Sequence, residues 1–456
     1  MNLETYFEAL QGKHVIVLGI GVSNRPLVRL LLTHGIHVTA CDKTPREKLD
    51  EEVLELERLG AELKLGETYL DDLSGDVVFR SPGIRPDIPA LAKLTAEGAE
   101  LTSEMEVFFK VCPCKIIAVT GSDGKTTTTT LIAEILKHAG HQVWIGGNIG
   151  QPLLPLAEQM TERDFAVVEL SSFQLMTMRQ SADVAVVTNL APNHLDMHKG
   201  MEEYVAAKEN VYLYQSSAGK LVVNRDNAYT DGFAEKAAGR VEKFSRQEKL
   251  ESGCWLEGDT VYHNGKAVMT RQEIRIPGLH NVENYMAAIC ATADFATDAD
   301  ALAVAGSFGG VEHRIEFVRE LHGVKIYNDS IASSPTRTIA GLHAFDQKLI
   351  VIAGGYDKHI PFDGLGEELC QHCKTLVLCG ATAGMIESAV RQAPSYAPGN
   401  PEIITVAEFR KAVETAVGHA KPGDVVTLSP ACAAFDQFKN FMVRGKTFKK
   451  IVMELE

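Results

Sequence analysis

Short apolar runs rich in Val and Ile alternate along almost the whole chain with stretches whose apolar positions recur at helical spacing, the pattern of α/β domains built on parallel sheets. His14–Ile20 (HVIVLGI) reads as a buried strand, 25–34 as a helix with Gly35 suited to its C-cap, and 37–41 as a second strand ending at Asp42. A strand over 76–80 runs into the turn Ser81-Pro82-Gly83, and the first domain is expected to end near Ser103. A second block opens with a strand over 115–120, a glycine-rich turn and a helix over 125–139 stopped by Gly140. Strands follow at 165–170, 184–190 and 221–224, with helices over 202–214 and 281–295. Between them, 241–276 reads as irregular and hairpin-like, with a turn at His263-Asn264-Gly265-Lys266. The third block starts near Glu312 and carries strands at 324–328, 348–353, 375–379, 403–406 and 425–428. Three α/β domains in series are expected, over 1–103, 104–311 and 312–456.

The length agrees, since 456 residues make about three domains of roughly 150 residues each. Charge narrows the function classes. Lys+Arg is 45 against 60 Asp+Glu, a net charge of -15, whereas nucleic acids and anionic membranes attract basic faces. A small phosphorylated ligand needs only a local positive field and stays open. The N-terminus shows no basic stretch followed by an apolar run, and no apolar segment approaches the length of a membrane span. A cytoplasmic protein is expected. Nine scattered cysteines, Cys112/Cys114 and Cys370/Cys373 among them, form neither a disulfide framework nor a paired zinc motif. They read as buried thiols.

The strongest local signal is Thr120-Gly121-Ser122-Asp123-Gly124-Lys125-Thr126-Thr127, between a strand and a helix. Glycines let the backbone turn its N–H groups onto phosphate oxygens, and the helix N-terminus adds partial positive charge. Lys125 would neutralise β/γ-phosphates and the Thr126 hydroxyl would ligate Mg²⁺. Only two residues separate Gly121 from Gly124, where the general phosphate-loop pattern has four. Glu169 and His194 each follow a strand, at the sheet edge where ligands gather. Ion chemistry favours Glu169 as a Mg²⁺ ligand over an imidazole. Lys208, on a predicted helix, reads by itself as a solvated lysine. Gly19-Ile20-Gly21-Val22-Ser23-Asn24 is half of a dinucleotide fingerprint with Asn24 in place of its third glycine, and Asp42 stands where a ribose-binding acid would. In the third block Asn328–Ser330, Gly354–Lys358 and Ser429–Cys432 fall at strand ends, a ligand rim or ordinary turn chemistry. His313-Arg314 could reach a phosphate or cap a surface.

Together these segments resemble the Mur ligase family, ATP-dependent amide-bond-forming enzymes of peptidoglycan precursor synthesis. The resemblance runs the full length through TGSDGKTT (120–127), GNIG (147–150), ELSSFQ (169–174), NHLD (193–196), YVAAK (204–208), PGLHN (277–281), His313-Arg314, NDS (328–330) and SPACAAFDQFKNF (429–441). GNIG and the last motif favour the branch that adds D-glutamate to UDP-N-acetylmuramoyl-L-alanine. The resemblance implies a Rossmann-like first domain, a phosphate-loop central domain and a Rossmann-like third domain. It implies that Gly121, Ser122, Asp123, Gly124, Lys125, Thr126 and Thr127 hold ATP, with Asn148, Asn281, Arg314 and Asp329 at its nucleoside and phosphates. Thr126 and Glu169 would ligate one magnesium ion. His194 would bind a second, reversing the preference from ion chemistry, and Lys208 would be carbamylated and act there as a carboxylate. Lys125, Lys208 and His194 would be the catalytic set. Ser23, Asp42 and Ser81 fall where the family holds UDP, which replaces the dinucleotide reading. Ser333, Lys358 and Phe441 match residues that hold the amino acid. A monomer acting on small molecules is expected, with neither nucleic acid nor membrane as partner.

Two positions depart from the family pattern. Ile331 stands where a lysine is common, and Ala434 where serine is common; both bear on the amino-acid pocket and neither on the ATP site. The competing readings are a sister ligase for L-alanine or a diamino acid, folylpolyglutamate synthetase, a nucleotide sensor, and a dehydrogenase. Folylpolyglutamate synthetase lacks a UDP-binding first domain. A sensor has no need of every metal and phosphate residue, and Asn24 spoils the dehydrogenase fingerprint.

Overall fold

The computed structural model describes residues 1–194 and 197–456. Leu195 and Asp196 of the NHLD motif lie outside the described residues. Three separate sheets carry the chain. The first is fully parallel: β1 (His14–Leu18), β2 (His37–Asp42), β3 (Glu62–Leu65), β4 (Val77–Arg80) and β5 (Glu100–Thr102) in the order β3-β2-β1-β4-β5. That is the order of a mononucleotide-binding half with its switch point beside β1, where ligands bind in open sheets. Val15, Ile16, Val17 and Leu18 of β1 are fully buried. Such continuous apolar runs, rather than alternating ones, mark strands covered on both faces.

The second sheet holds β6 (Lys115–Thr120), β7 (Val143–Gly147), β8 (Phe165–Glu169), β9 (Val184–Val187), β10 (Lys220–Asn224), β11 (Arg240–Ser245), β12 (Cys254–Glu257), β13 (Thr260–His263) and β14 (Lys266–Thr270). Its order is β14-β13-β12-β11-β10-β9-β6-β8-β7, parallel from β7 to β12 and closed by an antiparallel meander. The stretch expected to be irregular is therefore four strands. Its hairpin turn is the anticipated one: Asn264 and Gly265 take φ of 47° and 83°, the two left-handed residues of a tight hairpin. The strand beginning at Val184 stops at Val187, and the helix expected to 214 stops at Glu209, before the chain turns into β10 beside β9.

The third sheet contains β15 (Glu316–Leu321), β16 (Val324–Asn328), β17 (Leu349–Ala353), β18 (Cys373–Leu378), β19 (Glu402–Thr405) and β20 (Val425–Leu428), ordered β15-β16-β20-β17-β18-β19. Only β15 runs antiparallel. Two apolar layers sandwich it, one including Leu342, Leu365 and Ile386, the other Ala412, Val413, Phe448 and Val452.

The chain divides into two compact units, Met1–Arg271 with Glu283–Val304, and Gln272–Val282 with Ala305–Glu456. The first unit thus contains two sheets. Arg80 is one reason they cohere. Its guanidinium is buried and donates to the carbonyls of Pro82 and Ile84 on one side and to Phe173 O and Thr177 Oγ1 on the other. Eight of the nine cysteines are buried and Cys112 is half-buried. Among the described residues, no helix is long and apolar enough to cross a membrane.

Candidate active site

The site grows from the carboxyl end of β6. Thr120 ends the strand with its hydroxyl donating to Leu170 O at 2.7 Å, and Gly121 then turns with φ of 148°. Gly124, at φ 78°, caps the helix Lys125–His138 without a side-chain cap bond of its own. The neighbouring strand end braces the loop from below: Asn189 accepts from Ser122 N through its carbonyl and from Asp123 N through Oδ1, each at 2.9 Å. Ser122 Oγ reaches Tyr204 OH at 2.9 Å. Lys125 folds back over the turn, its ammonium donating to Gly121 O at 3.0 Å and Ser122 O at 2.9 Å. A cation is thereby held at the mouth of a helix N-terminus, where anions bind.

Two predicted magnesium ligands converge. Thr126 Oγ1 donates to Glu169 Oε2 at 2.7 Å, and Asn148 Nδ2 donates to the other carboxylate oxygen, Oε1, at 2.7 Å. Glu169 is buried at the end of β8. Hydroxyl and carboxylate oxygens so paired are the hard donors that magnesium takes.

Lys208 is not the solvated lysine its helix suggested. It is 2% exposed, and its Nζ donates to Thr120 Oγ1 at 3.0 Å and Gly121 O at 2.9 Å. Burial pushes its ammonium well below the usual lysine range; repulsion from Lys125 adds to this and Glu169 opposes it. His194 lies on the exposed loop after β9 with φ of 55°, and its ring meets Phe173 edge-on at 5.2 Å. Phe173 also stacks on His198, a buried imidazole bonded to Ser172 Oγ at 2.8 Å. Sequence reading missed His198; its signal was a second histidine one helical turn after the first. Missed too was Arg85, whose guanidinium grips both oxygens of Glu203 at 2.9 and 3.0 Å.

The expected UDP residues cluster at the carboxyl end of β1. Asp42 Oδ2 accepts from Ile20 N and Oδ1 from Thr44 N, both at 2.8 Å. Asn24, where a dinucleotide loop would have glycine, is buried and donates to Gly19 O at 2.8 Å. Ser23 and Ser81 are half-buried at the rim, Ser81 packed against Gly19.

In the second unit the predicted residues gather on the rim of the third sheet. Asp329 is buried at the end of β16, accepting from Ser429 Oγ at 3.0 Å and from Ile315 N at 3.3 Å. Desolvation pushes its carboxyl up to about 7, against the bonds from Ser429 and Ile315. Arg314 is half-buried on the turn between His313 and Ile315, whose φ values are 68° and 43°. Asn281 donates to Pro277 O at 2.6 Å. Ser333 is half-buried, Lys358 exposed on the loop after β17, and Phe441 opens the last helix with its ring edge-on to His313 at 5.9 Å. Ile331 is half-buried with its amide on His313 O at 3.1 Å, and Ala434 is buried. One residue unforeseen from sequence ties this rim together. Arg444 is 2% exposed and donates to Ser330 Oγ and O, Cys432 O and Ala433 O at 2.9–3.2 Å. Burial lowers its pKa to about 10.

Comparison with known proteins decides the family. Residues 119–292 match the Mur ligase middle domain, and residues 313–432 match the glutamate ligase domain of Mur ligases. A Clostridium novyi protein named UDP-N-acetylmuramoylalanine--D-glutamate ligase is 52% identical over 447 residues, 98% of both chains. A Clostridium botulinum protein of the same name is 50% identical over 455 residues, 100% of this chain and 99% of its own. The chain belongs to the Mur ligase family. Its fold agrees with solved structures of the family at low identity. The UDP-N-acetylmuramate-alanine ligase of Thermotoga maritima has a TM-score of 0.58 at 19% identity, over 97% of this chain and 99% of that one. A UDP-N-acetylmuramoyl-L-alanyl-D-glutamate--2,6-diaminopimelate ligase gives 0.59 at 18%, over 97% and 93%. Within this Mur ligase the matched middle domain spans Lys125, Glu169, His194 and Lys208.

Proposed function

We propose that this Mur ligase joins D-glutamate to UDP-N-acetylmuramoyl-L-alanine, with cleavage of ATP to ADP and phosphate, as a cytoplasmic monomer that uses neither nucleic acid nor membrane. The observation that carries the reading is a phosphate-loop lysine beside the Thr126–Glu169 oxygen pair, in a chain half identical end to end with relatives bearing that name. Residues 1–103 would hold the UDP moiety through Ser23, Asp42 and Ser81. Residues 104–311 would hold ATP through Gly121–Thr127, Asn148 and Asn281. Residues 312–456 would contribute Arg314 and Asp329 to the nucleotide and Ser333, Lys358 and Phe441 to D-glutamate.

A free carboxylate is a poor acyl donor because oxide does not leave. One oxygen of the L-alanyl carboxylate attacks the γ-phosphorus of ATP, the bond to the β-phosphate oxygen breaks, and ADP leaves. The acyl phosphate so formed is attacked at its carbonyl carbon by the amine of D-glutamate. Phosphate departs with the former carboxylate oxygen, the amine loses a proton, and the amide remains. Each reactant is an anion, so the first barrier is electrostatic. Lys125 would lower it by offsetting the charge that develops on the γ-phosphoryl group, and the partial positive charge of the helix N-terminus would lower it further. Thr126 and Glu169 would hold one magnesium ion, and His194 with a carbamylated Lys208 a second. When bound, these ions supply positive charge against the transferring phosphoryl group. Burial disfavours the charged form of Lys208, and this would favour the carbamate, since only an unprotonated amine adds carbon dioxide, releasing one proton.

The test is phosphate release from ATP with UDP-N-acetylmuramoyl-L-alanine present and amino acids added one at a time. Release is expected with D-glutamate alone. Release with L-alanine or a diamino acid would move the enzyme to a sister activity and implicate the Ile331 pocket, and no release with any would overturn the reading.

A further inference from the structure

A group with no part in the ligase chemistry lies on the second unit, at the opposite end of the third sheet. His343 follows the helix Pro335–Leu342, while Glu368 and His372 share one face of the helix Asp363–His372, one turn apart. His343 Nε2 lies 2.6 Å and His372 Nε2 3.5 Å from the same carboxylate oxygen, Glu368 Oε2. The imidazole centroids are 4.8 Å apart at 51°, and the three ligand atoms all lie within 4.8 Å of one another. We propose that His343, Glu368 and His372 form a binding site for a divalent transition-metal ion of the zinc class.

The geometry suits the ion. With bonds of about 2.0–2.1 Å in a tetrahedron, neighbouring ligand atoms stand roughly 3.3 Å apart. The His372–Glu368 pair is already near that separation. The His343–Glu368 pair is a hydrogen bond that must open by about 0.7 Å to reach it, within the reach of side chains 49% and 27% exposed. Two imidazoles and one carboxylate supply three ligands and leave a fourth position for water. Nitrogen donors favour zinc, nickel or cobalt over magnesium or calcium.

A second cluster, His14, His37 and Glu62, is the weaker candidate. There His14 Nε2 is held by Thr39 Oγ1 at 2.7 Å, and Glu62 is 65% exposed. The preferred site bridges two helices. His372 stands immediately before β18, so the ion would sit at the amino ends of the strands, away from the rim carrying Asp329 and Lys358. Its role would be to clip the helices together.

The full-length protein, freed of metal, would be titrated with Zn²⁺ by calorimetry and with Co²⁺ by visible absorption, alongside His343→Ala/His372→Ala and Glu368→Gln. Wild type should take up one equivalent more than the double variant, with a tetrahedral cobalt band that the double variant lacks. Its melting temperature should rise with zinc where the double variant's does not. Glu368→Gln, which keeps the shape of the side chain, should bind at least about tenfold more weakly. Equal zinc uptake and equal melting shifts in wild type and double variant would overturn the proposal. So would the absence of zinc uptake by wild type. D-glutamate-dependent phosphate release should be the same in all three proteins, so the outcome is separate from the test of the ligase reading.

Discussion

Two turns in the first unit share a plan and differ in what they do with it. Each follows the first strand of its domain's parallel sheet with a glycine at positive φ and then a helix: Gly19 before Asn24–Thr33, and Gly121 before Lys125–His138. At the first turn the polar groups satisfy one another. Asn24 donates to the Leu18 and Gly19 carbonyls, Asp42 takes the Ile20 amide, and the Arg25 guanidinium, though its Nε donates to Ile20 O at 3.1 Å, is paired with Asp50 and Glu52 at 2.8 and 2.6 Å. At the second turn the cation lies over the loop itself, on the Gly121 and Ser122 carbonyls, with Lys208 buried beneath. The two turns share a glycine pattern and differ in where positive charge is placed; under the proposed function the first would hold the UDP moiety and the second the ATP phosphates.

Removing the cation tests this most severely. Lys125→Ala should lower kcat/KM for ATP-dependent phosphate release by roughly 10³-fold, about 4 kcal/mol of transition-state stabilisation; Arg25→Ala should change it less than about threefold. A comparable loss in both would erase the distinction. Lys208→Met should also cost on the order of 10²-fold in activity while flattening the dependence of stability on pH. With the folded pKa below the unfolded one, the unfolded chain binds more protons between those two values, so wild-type stability rises with pH across that window. Urea midpoints at neutral pH and near pH 10 would show a smaller rise in the variant.

The glycines sharpen the contrast at the next level. A Cβ on Gly121 would stand 2.0 Å from Thr188 Oγ1 and 3.1 Å from Asn189 O, on a backbone with φ of 148°. A Cβ on Gly19 would meet Ser81 Cβ at 2.8 Å with φ of 85°. Gly121→Ala should therefore destabilise by about 3 kcal/mol and Gly19→Ala by about 1–2 kcal/mol, read from denaturant midpoints. The reverse order would mean that the phosphate loop yields more easily than its close contact with Thr188 and Asn189 implies.

The central strands were legible because burial on both faces writes them as unbroken apolar runs; β6, β16 and β20 have the bounds read from sequence. The meander after β10 was not, because its short strands include Glu242, Lys243, Glu257 and Lys266, and partly exposed strands show no such run. The phosphate loop announced itself through local spacing. Lys208 did not, since its meaning comes from Thr120 and Gly121, far away in sequence. Arg80 and Arg444 were not legible for the same reason: each is a buried cation that also binds groups far away in sequence, Phe173 O and Thr177 Oγ1 for Arg80 and Ser330 Oγ and O for Arg444, and nothing near it in sequence marks those partners.

The smallest effects belong to the first turn and concern Asp42. Its carboxylate orders the loop through two backbone amides, so Asp42→Asn, which retains one acceptor, should raise KM for the UDP substrate by roughly tenfold and leave kcat within about twofold. A fall in kcat instead would place this turn in the chemistry rather than in substrate binding. Burial by itself raises the Asp42 carboxyl, but the amides of Thr44 and Ile20 outweigh it and hold the group below its ordinary value. The sign follows from linkage: the unfolded chain takes up this proton first as pH falls, so the carboxylate's contribution is complete above about pH 4 and is lost as pH drops through the folded value. Acid titration of stability should therefore be shallower for Asp42→Asn than for wild type below about pH 4, and the same above it. Both slopes have the same sign, stability rising with pH, but they fall in separate windows, acid-side for Asp42 and alkaline-side for Lys208, which distinguishes a loop held by a half-buried anion from one built over a buried amine.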